Sequence, residues 1–140
     1  MSEKQQTLKE SVTLSGVGLH TGKAVEIQIE PAPENFGYKF QRIDVEGEPI
    51  IEADVDLVVS TERGTTLEKK GIRIHTTEHV LAALVGCQID NALIKINSEE
   101  IPIMDGSSWP FVEAIIAAGN KEQNAEREYF ELDKNIPWED

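Results

Sequence analysis

The sequence predicts an α+β fold: a two-layer sandwich with a mainly antiparallel sheet and two helices on one face. Three observations carry this. Residues 7–75 alternate apolar and polar positions between turns, as half-buried strands do. The apolar spacing becomes helical just after Thr76 and Thr77. Alternation then returns once, at NALIKIN (residues 91–97), before a second helical pattern that closes at Gly119.

Taken in order, Leu8, Val12 and Leu14 share one parity, and Val25, Ile27 and Ile29 alternate with Glu26, Gln28 and Glu30. Between them GVGLHTGK (residues 16–23) is too rich in glycine for regular structure. Further strands are predicted over residues 38–43, 50–53, 65–68 and 71–75, with EKKG as a tight turn between the last two. Thr76 or Thr77 caps a first helix in which Val80, Leu81, Leu84 and Val85 recur, and Gly86 offers its stop. The second helix follows a turn at Asp105-Gly106, a capping serine and Pro110 in the first turn. NKEQNAERE reads as a structureless polar linker, and YFELDKNIPWED starts another strand-like run. The expected division is therefore one α+β domain over residues 1–119, with 120–140 a linker and the start of a second domain.

The 140 residues amount to about one domain of the usual 100–200 residues. With 39% hydrophobic and 28% charged residues the chain can bury a core without staples. Twenty-six acidic residues against 13 basic give a formal charge of -13, a surface that repels phosphates, so no nucleic-acid partner is expected. Cys87 is the single cysteine and has no internal disulfide partner; a buried thiol is expected there. No stretch approaches the roughly 20 apolar residues of a transmembrane segment. MSEKQQTLKE lacks the apolar run of a signal peptide, and a cytoplasmic location is expected.

Several segments could carry chemistry. GVGLHTGK fails the phosphate-binding P-loop pattern, because neither glycine leaves four residues before Gly22-Lys23 and Ala24 replaces Ser or Thr. A turn between strands explains it, with His20 as a functional hint. HTTEH (residues 75–79) fits the H-x-x-E-H pattern, which needs both histidines on one helix. Gly71 to Ile74 alternate like a strand, so His75 ends a strand while Glu78 and His79 open the helix. Adjacent helical residues point about 100° apart, so this pair suits one metal ligand beside one base. A carboxylate favoured by the helix N-terminus explains Glu78 equally from the residues alone. Asp105-Gly106-Ser107-Ser108 reads as a turn entering a capped helix, Asp90-Asn91 as a turn entering a strand, and Trp109 and Trp138 are too distant to form a stacking platform.

Taken together, SGVGLHTGK, STERGTTL, TTEHVLAALVG, IDNALIKIN and EIPIMDGSSWPFVEAI, in that order, resemble the family of UDP-3-O-acyl-N-acetylglucosamine deacetylases. These are the LpxC-type zinc amidases of lipid A biosynthesis in Gram-negative bacteria. The likeness covers residues 7–119. It implies a two-domain enzyme, both domains α+β sandwiches with the zinc at their junction, iron(II) being the alternative metal. It places His79 as the first metal ligand and Glu78 as the general base for the water that attacks the N-acetyl group. His20 and Thr61, the latter in the segment 61–65, would line the cleft. His75 has no place in the family's motif. The remaining ligands would belong to a second domain in cis, since His20, His75 and His79 are the only histidines in the sequence and a catalytic zinc takes three protein ligands. The implied function is that of the N-terminal half of a zinc-dependent deacetylase, inactive alone, with UDP-3-O-acyl-N-acetylglucosamine as the intact enzyme's substrate. The alternative is a stand-alone binding or scaffold domain that keeps the deacetylase fold.

Overall fold

A computed structural model of the chain describes residues 4–53, 58–61 and 64–126. Ten strands and two helices follow in the order β1 (Lys4–Leu8), β2 (Val12–Val17), β3 (Ala24–Pro31), β4 (Tyr38–Arg42), β5 (Ile50–Glu52), β6 (Val58–Thr61), β7 (Gly64–Lys69), β8 (Ile72–Ile74), α1 (Glu78–Gly86), β9 (Ala92–Ile96), α2 (Trp109–Ala118) and β10 (Asn120–Glu126). The main sheet has the order β2-β3-β9-β4-β5. All its pairs are antiparallel except β4 with β9. The fold is thus the predicted α+β arrangement.

Alternation dictates which face of that sheet is buried. Ile29 pairs with Ile94, Ile94 with Phe40, and Phe40 with Ile51, so one row of fully buried side chains crosses four strands. Ile27 opposite Ile96 adds to the same face. Both helices bring their apolar stripes to this core: Val80, Ala83 and Leu84 from α1, at the i, i+3, i+4 spacing of one helical face, and Phe111, Ile115 and Ala118 from α2, at i, i+4, i+7. A second sheet, β6-β7-β8, adds the paired and buried Leu67 and Ile74. Its β7–β8 turn is the predicted one: Lys70 and Gly71 both take positive φ (54° and 83°), the requirement of a two-residue type I′ hairpin.

The structure corrects four expectations. Leu8 does not share a strand with Val12 and Leu14; it ends β1, which pairs with β10. Residues 120–126, expected to be structureless, form that partner strand. Their apolar pattern is silent because amide groups hold the strand. The Gln123 amide donates to Ala32 O (2.8 Å) and its oxygen accepts from the Asn91 amide (2.7 Å), while the Asn120 amide donates to Cys87 O (2.9 Å). α1 does end at Gly86, as predicted, with the left-handed residue two positions on at Gln88 (φ 63°). Val85, counted in the apolar stripe, is 62% exposed. Finally, Cys87 is half-buried, and that burial raises its thiol above the ordinary range. Gly119 does end α2, with φ 85°. The strand-like run after Glu126 and Trp138 lie outside the described residues.

Ile94, at the centre of the buried row, sets a stability test. Ile94→Ala is expected to cost about 2–5 kcal/mol in denaturant unfolding followed by circular dichroism, whereas Val85→Ala on the exposed face should change it by no more than about 0.5 kcal/mol.

Candidate functional site

The glycine-rich turn between β2 and β3 is wrapped around a buried carboxylate. Gly18 and Lys23 close its neck through Gly18 N donating to Lys23 O (3.0 Å), and Gly22 N donates to Gly18 O (3.0 Å). Inside it sits Glu100, with no exposed surface. The backbone N–H of His20 donates to both carboxylate oxygens (3.0 and 3.1 Å), that of Thr21 to Oε1 (3.0 Å), and the Thr76 hydroxyl to Oε2 (3.1 Å). The His20 ring meets Oε2 through Nδ1 at 2.6 Å. Burial by itself raises this carboxyl, but the donors from His20, Thr21 and Thr76 outweigh it and hold the group below the ordinary carboxylate range. Gly18 is required here: a Cβ on it would lie 2.5 Å from Thr21 Oγ1 and 2.7 Å from Glu100 Oε1. Thr76 holds its end with φ 62°, a conformation costly for a β-branched residue.

The same junction delivers the start of α1. Thr77 takes the N-cap position, yet its hydroxyl donates to Thr65 O (3.1 Å) rather than accepting from a helical N–H. Thr65 returns the tie, its N–H donating to Glu78 Oε1 at 3.1 Å. One Glu78 oxygen is thus pinned to β7 and the other has no partner among the described residues. His79 beside it is half-buried, and its ring makes no hydrogen bond with any described residue. Asp105 lies near it. The Ser107 hydroxyl and N–H, donating at 2.6 and 2.9 Å, hold the Asp105 carboxyl below its ordinary range, and the nearby His79 lowers it further.

His75 takes a different course. It is 3% exposed, bridges Glu100 on the neighbouring segment, and its Nδ1 lies 2.8 Å from Thr66 Oγ1. Its ring is therefore engaged inside the sheet junction. Among the described residues no group of three or more His, Cys, Asp or Glu side chains is gathered that could hold a metal ion. His79 fits as one nitrogen ligand, and a complete catalytic zinc set is not assembled from the described residues.

Of the four residues singled out from the sequence, Glu78 and His79 stand side by side in the first turn of α1. His20 is joined to that turn through Glu100 and Thr76. Thr61 ends β6 opposite Gly64, next to the Thr65 that pins Glu78; its side chain lies outside the description. Sequence reasoning missed Glu100, which stood inside the quoted EIPI segment as one acidic residue among 26. A groove lined by Thr7, Pro31, Glu34, Lys121 and Gln123 lies by β1 and β10 and shares no residue with this cluster. No helix among the described residues is long and apolar enough to cross a membrane.

Comparison with known proteins is specific. The family model described as UDP-3-O-acyl N-acetylglycosamine deacetylase matches residues 5–140. A bifunctional enzyme LpxC/FabZ of Bacteroides thetaiotaomicron is 47% identical over 137 residues, which is 98% of this chain and 30% of that protein. A UDP-3-O-acyl-N-acetylglucosamine deacetylase of Geotalea uraniireducens is 47% identical over 132 residues, 94% of this chain and 43% of its own. One of Psychrobacter sp. is 44% identical over 133 residues, 95% and 45% respectively. The chain thus spans less than half the length of these curated relatives.

The Glu100 anchor has a measurable pH signature. Because its folded carboxyl is held below the ordinary 4.5, the stability it contributes is present above that value and is lost as pH falls through the folded one. Glu100→Gln is expected to cost about 1–3 kcal/mol at neutral pH and to flatten the acid limb of unfolding free energy against pH. An unchanged acid limb would show that the anchor does not titrate with the fold.

Proposed function

The chain belongs to the UDP-3-O-acyl N-acetylglycosamine deacetylase family, and from that premise we propose that it is the N-terminal half of a zinc-dependent deacetylase. The intact enzyme hydrolyses the N-acetyl group of UDP-3-O-acyl-N-acetylglucosamine, the committed step of lipid A biosynthesis, in the cytoplasm. The first domain, expected over residues 1–119, takes in β10 as well, because that strand pairs with β1, and a second domain in cis follows. Glu78 carries the reading: one oxygen is pinned by Thr65 N–H at 3.1 Å and the other is unengaged among the described residues, which fixes the carboxylate while leaving it a free acceptor.

Zinc, when bound, supplies the Lewis acidity that polarises an amide carbonyl and makes water nucleophilic at neutral pH. His79 is the ligand this chain offers. Glu78 takes the proton from the attacking water as its oxygen bonds to the carbonyl carbon. The C–N bond then breaks, releasing acetate and a 2-amino group that gains a proton. His20 and the β6–β7 segment containing Thr61 border the cleft, held to the α1 start through Glu100 and Thr65 respectively. The second domain supplies the other ligands and most of the site, which makes this half inactive alone.

In the two-domain enzyme, Glu78→Gln is expected to lower kcat by roughly 10²–10⁴-fold with zinc content near normal, while His79→Ala lowers zinc occupancy; metal analysis beside initial-rate assays checks both. Unchanged turnover in the first variant removes Glu78 from the mechanism. The 140-residue chain by itself is expected to be folded, to bind zinc weakly in equilibrium dialysis and to show no deacetylation; one tightly held zinc per chain contradicts this.

A further inference from the structure

Glu100 stands apart from the residues already assigned. Four donors converge on its carboxylate, two of them from His20 itself. Two backbone compromises serve it: a position beside it that admits no Cβ, at Gly18, and a left-handed threonine, Thr76. Stability alone does not account for a buried charge, since replacing buried charged groups by apolar packing commonly leaves a fold as stable or more so.

We propose that Glu100 is a positioning residue of the deacetylase site: it holds the His20 imidazole as the Nδ1–H tautomer, leaving Nε2 as a fixed hydrogen-bond acceptor for a hydroxyl or N–H of the substrate. An ionised carboxylate only accepts hydrogen bonds, so the 2.6 Å contact to His20 Nδ1 places the proton on that nitrogen. In a neutral ring the other nitrogen then carries the lone pair. The ring is 31% exposed, and Nε2 has no partner among the described residues. The two backbone N–H bonds of residues 20 and 21 to the same carboxylate fix the ring's root, so ring and anchor move together. Through the Thr76 hydroxyl the same carboxylate also grips the segment two residues ahead of Glu78. A single group therefore sets the distance between His20 and the start of α1. The tautomer rests on geometry alone; the substrate contact rests on the deacetylase reading above.

The test has two arms. Isotope-labelled histidine in the chain reports each ring's tautomer through long-range proton–nitrogen correlations, with His20→Gln assigning the signal. His20 is expected to be protonated at Nδ1, and Glu100→Gln to shift it toward the Nε2–H form. A wild-type His20 protonated at Nε2, alone or together with Nδ1, overturns the proposal, and that measurement needs no active enzyme. In the two-domain enzyme, Glu100→Gln and His20→Ala are each expected to lower kcat/KM about tenfold or more, and the double variant to fall no further than His20→Ala, because Glu100 acts through His20. Losses that multiply, or an unchanged kcat/KM in Glu100→Gln, overturn the positioning role. A wild-type enzyme without deacetylase activity overturns the functional reading instead, while the tautomer result still decides the geometry.

Discussion

A carboxylate with no exposed surface needs donors on every side, and meeting that need at Glu100 shapes two separate segments of the chain. The loop between β2 and β3 curls so that two consecutive backbone N–H groups point inward. Gly18 gives up a side chain to let the carboxylate approach. Thr76 takes a left-handed backbone so that its hydroxyl reaches the other oxygen. His75, adjacent in sequence, is drawn into a bridge with Glu100 itself. The outcome is a rigid link between a surface loop and the first turn of a helix.

The rest of the molecule supplies the platform. The row Ile29, Ile94, Phe40 and Ile51 locks the register of four strands, because a one-residue slip would turn every one of these side chains to the opposite face. Both helices pack on that face, and β7 approaches closely enough to exchange hydrogen bonds with residues 77 and 78. Glu78 and His79 are therefore placed on a helix start fixed from two directions, by Thr65 on one side and by Thr76 with Glu100 on the other. Such placement keeps the Glu78 carboxylate and the His79 ring oriented while leaving both half-buried.

How far the sequence spoke differs from element to element. Val25, Ile27 and Ile29 announced β3 because their partners lie on one buried face, and period-2 alternation is the direct trace of that environment. α2 was legible end to end, from Asp105-Gly106 to Gly119, since turn and stop chemistry are local. β10 was illegible. Its place depends on amide hydrogen bonds from Asn120 and Gln123 to residues far away in sequence, and those leave no apolar period. α1 was legible as well, from its start after Thr77 to its end at Gly86, although the left-handed residue that follows is Gln88.

The sequence by itself determined the α+β class, the strand that leads into His75, the pairing of Glu78 with His79 at a helix start, and, through its spaced motifs, the family. Each of these is a statement about neighbours along the chain, where dihedral preference and side-chain period are decided. Only the tertiary structure decided that His20 and Thr76, 56 residues apart in sequence, share the carboxylate of Glu100, and that Thr65 pins Glu78. No local pattern encodes those contacts. They exist because burying a charge removes water from it, and the donors that replace water are recruited from wherever the fold brings the backbone close.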